Sequence, residues 1–247
     1  MIHFITYTNN LMTISAAKCI EAAQRFIPEC STRIFREDDL NADFVWNNLN
    51  IINAERGGGY WLWKPYIIDV ALSEAKPNDL IIYSDAGVEL IHSVEPLLNQ
   101  MDEDIYFFGN RWIHGNWCKR DVLIKMGADT PKIRALEQLQ ASVLIIRKNH
   151  NTINFVREWL DWCETPNMID DSPSKAINLQ GFREHRHDQA ILTNLARLQD
   201  FTFHWYPCKW NQRYKGLYPN DSNELIFFHH RRRNAEWDLE TQTKYLS

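Results

Sequence analysis

One short run constrains the fold of this chain more than any other. Leu80-Ile81-Ile82-Tyr83 is apolar without a break, with Pro77-Asn78-Asp79 before it and Ser84-Asp85-Ala86-Gly87 after it. A strand wetted on one face alternates apolar and polar residues, whereas a strand without polar alternates has to be covered on both faces. The run therefore predicts a central strand in a sheet flanked by helices. Around it, Ile2–Thr8 is apolar and β-rich, and Thr13–Ile27 places Ile14, Ala17, Ile20 and Ala23 at helical spacing before Pro28. A helical stretch over Ala42–Glu55 is interrupted by Arg56-Gly57-Gly58-Gly59, and another begins at Lys64-Pro65, where proline suits the first turn. Ile105–Gly109 and Ser142–Arg147 read as strands, Asn154–Cys163 and His187–Leu198 as amphipathic helices, and Phe201–Tyr206 and Leu225–Phe228 as late strands. Strands alternating with helices in the first half imply parallel βαβ units, hence an α/β fold with a mostly parallel sheet. No repeat or linker divides the chain, so a single domain over 1–247 is expected.

Composition removes several function classes. The 27 Lys and Arg residues face 32 Asp and Glu, a formal charge of −5, so no global positive field gathers nucleic acid. Five widely spaced cysteines without a Cys-x-x-Cys pair argue against a disulfide framework and against a zinc knuckle. There is no apolar run long enough to span a bilayer, and the N-terminus reads directly into a strand rather than a secretory signal. The expectation is a cytoplasmic protein without a transmembrane segment, with peripheral contact at the inner face of the membrane left open. The 10 tryptophans supply flat faces suited to sugar rings or bases, and equally to a well-filled core.

Four segments carry candidate chemistry. Asp85 falls at the carboxyl end of the predicted central strand, where open α/β sheets bind ligands, and small residues follow it. An aspartate there can anchor a metal or a ribose, or merely open a turn. In Arg56–Lys64 three glycines free the backbone, and Lys64 stands at a helix N-terminus that favours anions, although the segment is not a Walker A loop. Arg56 has the fork geometry for phosphate; two solvated cations on a flexible turn are the alternative. His185-Arg186-His187-Asp188-Gln189 opens a helix and could be only a charged cap. His229-His230 ends an apolar strand before Arg231-Arg232-Arg233, and strand alternation lets at most one of the two histidines face a given site.

In this order, ITYT, RGGGYWLWKPYII, LIIYSDAGVEL, FREHRHDQAIL and FFHHRRR resemble a group of small glycosyltransferases with the GT-A fold, found in bacterial polysaccharide loci and large DNA viruses. The likeness runs from Ile2 to Arg233, and GGGYWLWKP and HRHDQ are its specific parts. It implies a single GT-A-like, Rossmann-like domain that transfers a sugar from a nucleoside-diphosphate-sugar to a glycan, a lipid-linked glycan or another hydroxyl acceptor. It implies Mn²⁺ or Mg²⁺ held at an Asp-x-Asp motif, of which Asp85 matches the first residue while Gly87 stands at the second. His229 or His230 would then have to assist as a ligand. Thr6, Tyr7 and Thr8 fall where such folds hold the nucleoside, and Arg56, Trp63 and Lys64 join them around the donor. Asp188 and Gln189 resemble the pair that retaining members place near the sugar. A non-catalytic carbohydrate-binding protein on a degenerate transferase fold and a nucleotidyltransferase are the competing expectations.

Overall fold

Burial bears out the central position of the apolar run. In the computed structural model, which describes residues 1–210 and 225–237, Ile81, Ile82 and Tyr83 have no exposed surface. The strands are β1 (Ile2–Tyr7), β2 (Ser31–Phe35), β3 (Leu80–Ser84), β4 (Val88–Leu90), β5 (Ile105–Ile113), β6 (Glu137–Leu139), β7 (Val143–Arg147), β8 (Phe203–His204), β9 (Cys208–Trp210) and β10 (Phe227–His229). The longer helices are α1 (Thr13–Phe26), α2 (Trp63–Glu74), α3 (His150–Glu164) and α4 (His187–Leu198). The main sheet runs in the order β2-β1-β3-β7-β5-β6, with β8 beside β5. β7 and β6 run against the other strands, so most of the sheet points one way. A second sheet, β4-β10-β9, ties the C-terminal strand to the segment that follows β3. The single-domain expectation also extends over residues outside the described ones.

Alternation along the strands sorts the core into two layers. Phe4, Ile82 and Ile145 face α1, through Cys19 and Ala23, and the small sheet, through Val88 and Phe227. Their neighbours Ile5, Ile81 and Ile146 face Ile67, Ile68 and Leu72 of α2, Phe155 and Trp159 of α3, and Ile191 of α4. Parallel neighbours need crossover connections; α1 supplies the one from β1 to β2, and the helical region ending in α2 supplies the one from β2 to β3. The described cysteines are all free, and no helix among the described residues is long and apolar enough to cross a membrane.

The departures from expectation are local. The helical stretch over 42–55 breaks at Asn48, whose side-chain amide donates to the Phe44 carbonyl at 3.0 Å and to Glu164 Oε1 at 2.7 Å, so a side chain competes with the backbone ladder. The strand expected over Phe201–Tyr206 shortens to β8, and the last one shifts to Phe227–His229, which puts His229 inside it. β2 was not expected at all; Ser31–Phe35 is partly exposed along most of its length and lacks a clean alternation.

The glycine segment forms a turn of unusual hand. Gly57, Gly58 and Gly59 have φ of 63°, 57° and 89°, and Tyr60 and Trp61 continue it at 52° and 63°. Left-handed backbone costs an ordinary residue about 1–2 kcal/mol, so glycine at three of these positions lowers the cost of the turn. At Gly59 the approach is also close, because a Cβ there would lie 2.8 Å from Ile52 Cα. The turn delivers Trp63 and Lys64 to the start of α2, and Trp63 Nε1 donates back to the Gly57 carbonyl at 2.9 Å. Gly59→Ala is expected to lower the unfolding free energy by about 2 kcal/mol, read from urea denaturation. An unchanged midpoint would show that the turn is not constrained in this way.

Candidate active site

The site grows from one buried ammonium. Lys64, in the first turn of α2, is 3% exposed and donates to the Ala141 carbonyl at 3.1 Å. Its Nζ lies 3.3 Å from Asp85 Oδ1 and 3.1 Å from Asp188 Oδ2. Burial opposes the charge, but Asp188 and Asp85 outweigh it and hold the lysine pKa above its ordinary value, so Lys64 stays protonated. Asp85 sits just past β3, where its backbone N–H donates to the Ser142 carbonyl at 2.8 Å and its Oδ1 accepts the buried Tyr83 hydroxyl. Asp188 lies in the first turn of α4, where the exposed N–H groups favour a carboxylate. The residue before it, His187, is left-handed at φ 46° and is fixed by Asp171 at 3.0 Å and by stacking on Tyr60. Burial pushes the Asp188 carboxyl up to about 6, against the pull of Lys64, with Asp85 adding to the rise.

These groups line a cleft of about 420 Å³ at the carboxyl end of β3, between α2, α4 and the end of β10. Tyr7, Trp63, Lys64, Asp85, Asp188, Gln189 and His229 of the expected residues line it. Tyr7 and Trp63 stack with centroids 3.9 Å apart and planes 15° apart, which makes one aromatic wall. Gln189 is engaged at both ends of its amide: Oε1 accepts Ala141 N–H at 3.3 Å and Nε2 donates to Gln138 Oε1 at 2.8 Å. It therefore braces the segment beside Asp85.

Other expected residues lie elsewhere. Thr6 and Thr8 are buried in and after β1 and do not reach the cleft lining; Thr8 Oγ1 donates to the Asn9 carbonyl. Arg56 is not in the lining either, because the left-handed turn directs it to Asp171 at 3.2 Å and Glu184 at 2.9 Å. His230 faces the other side of β10, with Nε2 3.2 Å from Glu89 Oε1 and Nδ1 accepting Arg232 N–H at 3.0 Å. Residues that sequence reasoning did not single out also build the site. Tyr83 was read only as core, and Gln140 and Ser142 precede β7 without any motif.

The donor set does not suit a divalent cation. Asp85 Oδ1 already receives Lys64 and Tyr83. Gly87 supplies no side chain, and a Cβ there would lie 2.9 Å from Arg231 Cα. His229 is neutral, since burial first and the charge of Arg231 next hold its pKa well below the usual histidine value. Its Nε2 accepts Arg231 Nε–H at 3.0 Å, so the one ring proton sits on Nδ1, which is buried without a hydrogen-bond partner. Neither ring nitrogen offers an unused lone pair. Among the described residues no three His, Cys, Asp or Glu side chains come together as a metal site. Of the expected ligands, Asp85 and His229 contact the protein's own cations, Lys64 and Arg231, and His230 contacts Glu89.

A strand-tip carboxylate beside an aromatic wall stands at the carboxyl end of a largely parallel sheet, where open α/β folds bind ligands. No family model and no curated protein matches the sequence. Solved structures do match. A glycosyltransferase involved in the glycosylation of the major capsid of PBCV-1 superposes with a TM-score of 0.54 at 11% identity, over 98% of this chain and 98% of that one. The galactosyltransferase LgtC, solved with donor and acceptor sugar analogues, gives 0.52 at 15% identity, over 99% of this chain and 94% of that one. The bifunctional glycosyltransferase WbbM gives 0.56 at 10% identity over 93% of this chain, which spans only 45% of WbbM. The chain therefore has the fold of GT-A glycosyltransferases.

Because the folded Asp188 carboxyl holds its proton more tightly than the usual value of 3.8 allows, this group lowers stability as pH rises from 3.8 to about 6. A carboxyl-carbon NMR titration is expected to show Asp188 titrating near 6, and Lys64→Met is expected to move that midpoint upward. A midpoint unmoved by Lys64→Met would refute the electrostatic pairing.

Proposed function

We propose that the protein is a glycosyltransferase that takes a sugar from a nucleoside-diphosphate-sugar and gives it to a hydroxyl of a glycan or a lipid-linked glycan. The observation that carries this reading is the buried Lys64 bridging Asp85 and Asp188 at the base of an aromatic-walled cleft on a GT-A fold. The Tyr7–Trp63 stack provides a flat surface for a base, and Trp61, also in the lining, provides one for a sugar ring. Asp85, whose side chain is 30% exposed, remains within reach of a ribose hydroxyl through Oδ2. In the reaction the bond from the anomeric carbon to the diphosphate oxygen breaks, and its electron pair stays on the diphosphate. An acceptor hydroxyl oxygen bonds the anomeric carbon, and the hydroxyl proton passes to the released diphosphate.

Each group has a physical task. The anomeric carbon gains positive character as the bond breaks, and the buried Asp188 carboxylate, poised at the head of α4, stabilises it through a weakly screened field. Gln189 and His187 hold that helix end in register with the cleft. The aromatic walls keep water from intercepting the sugar. Retention at the anomeric centre is the stereochemistry that the Asp188-Gln189 resemblance favours.

Two outcomes test this. Purified protein given a panel of nucleotide-sugars and glycan acceptors is expected to release nucleoside diphosphate from one of them. Asp85→Ala is expected to reduce that release by about 10²-fold or more; undiminished release would remove Asp85 from the donor site. Since the ionised Asp188 is the working form, kcat/KM is expected to fall as pH drops through about 6, and Asp188→Asn to lose this step along with most activity. A flat wild-type profile across that range would contradict the role of Asp188.

A further inference from the structure

The glycine at position 87 is required by a close approach of the chain. The Gly87 carbonyl accepts both His230 N–H at 2.9 Å and Arg231 N–H at 3.0 Å, so the end of β10 is fastened over the turn that follows Asp85. The approach is so close that a Cβ at 87 would overlap Arg231 Cα at 2.9 Å. Backbone atoms on both sides leave no flexible group to yield. Arg231 itself takes a left-handed conformation, φ 53°, and its Nε reaches His229 Nε2 at 3.0 Å. Any side chain at 87, an aspartate included, conflicts with the backbone at 231 in this position.

We propose that Arg231 takes the place of a divalent cation in this cleft, so that the diphosphate of the donor is held and neutralised by a cation of the chain's own. The proposal rests on the glycosyltransferase reading and specifies how that site binds its donor. The charge balance is equivalent: an aspartate with a divalent ion carries one net positive charge, and a glycine with an arginine carries the same. A guanidinium fork matches two phosphate oxygens and remains charged at every working pH. Lys64, Arg186, Arg231 and Arg233 line the cleft against Glu55, Asp85 and Asp188, so its lining already favours an anion. A metal ion entering beside Arg231 would be repelled by its guanidinium and would find His229 without a lone pair to offer.

The experiment is calorimetric titration of the full chain, stripped with EDTA, against UDP, GDP and dTDP, repeated in Mn²⁺ and in Mg²⁺. The expected result is that the nucleotide that binds does so equally well in EDTA and in metal. In Arg231→Gln its affinity is expected to fall about tenfold or more, with no recovery in Mn²⁺, while Arg231→Lys recovers part of the loss. Binding that depends on Mn²⁺ or Mg²⁺ would overturn the proposal and leave the glycosyltransferase reading intact. Unchanged affinity of Arg231→Gln in EDTA would also overturn it. Absence of binding by every nucleoside diphosphate in all buffers would instead defeat the underlying reading of the cleft. The comparison of EDTA with metal on the wild-type chain decides the question even if Arg231→Gln does not fold.

Discussion

An ammonium group shut away from water between two carboxylates organises this molecule. Taking Lys64 out of water costs several kcal/mol, and the cost is offset only because Asp85 and Asp188 both lie within ion-pair distance and Ala141 accepts a hydrogen bond. The three charged residues come from the start of α2, the tip of β3 and the start of α4. Their attraction fixes these ends relative to one another, and the cleft is the space they leave. With two carboxylates and one ammonium, the group keeps an excess of negative charge, which is one reason the Asp188 carboxyl rises to about 6. A cationic ligand is not needed to balance it, because Arg231 and Arg233 stand on the opposite wall.

That opposite wall depends on the small sheet. β10 pairs with β4 directly after the β3 tip, and Gly87 lets the chain beyond β10 press against the turn. His229 packs against Trp210, 4.3 Å away by ring centroid, and its Nε2 accepts a hydrogen bond from Arg231 Nε. The contact gives the C-terminal segment a direct place in the site. It also turns the two halves of a familiar metal motif, a carboxylate and a histidine, into partners of lysine and arginine.

The sequence disclosed what depends on local pattern. Leu80–Tyr83 had no polar alternate and is the buried centre of the sheet; Asp85 followed from its position at that strand's end, and Lys64 and Asp188 from helix N-termini. Alternation lets at most one of His229 and His230 face a given site, and His229 lines the cleft. The reading lost its hold where distant segments decide. Arg56 looked like a phosphate ligand because nothing local reveals Asp171 and Glu184, which claim it. Gln140 and Ser142 join the site only because β7 lies antiparallel beside β3, a pairing that the early βαβ rhythm does not foretell. Gly87 reads in the sequence as a departure from an Asp-x-Asp motif, and only the fold shows the chain near Arg231 resting on it.

Binding of the nucleoside diphosphate of a sugar donor in this cleft, as proposed, can be read from protection against thermal unfolding. A ligand that binds only the folded chain raises its melting temperature. At least one of UDP, GDP, dTDP, ADP and CDP is expected to raise the Tm of the wild-type protein, while the matching free nucleoside does so far less. A Tm unmoved by all five at millimolar concentration would contradict it.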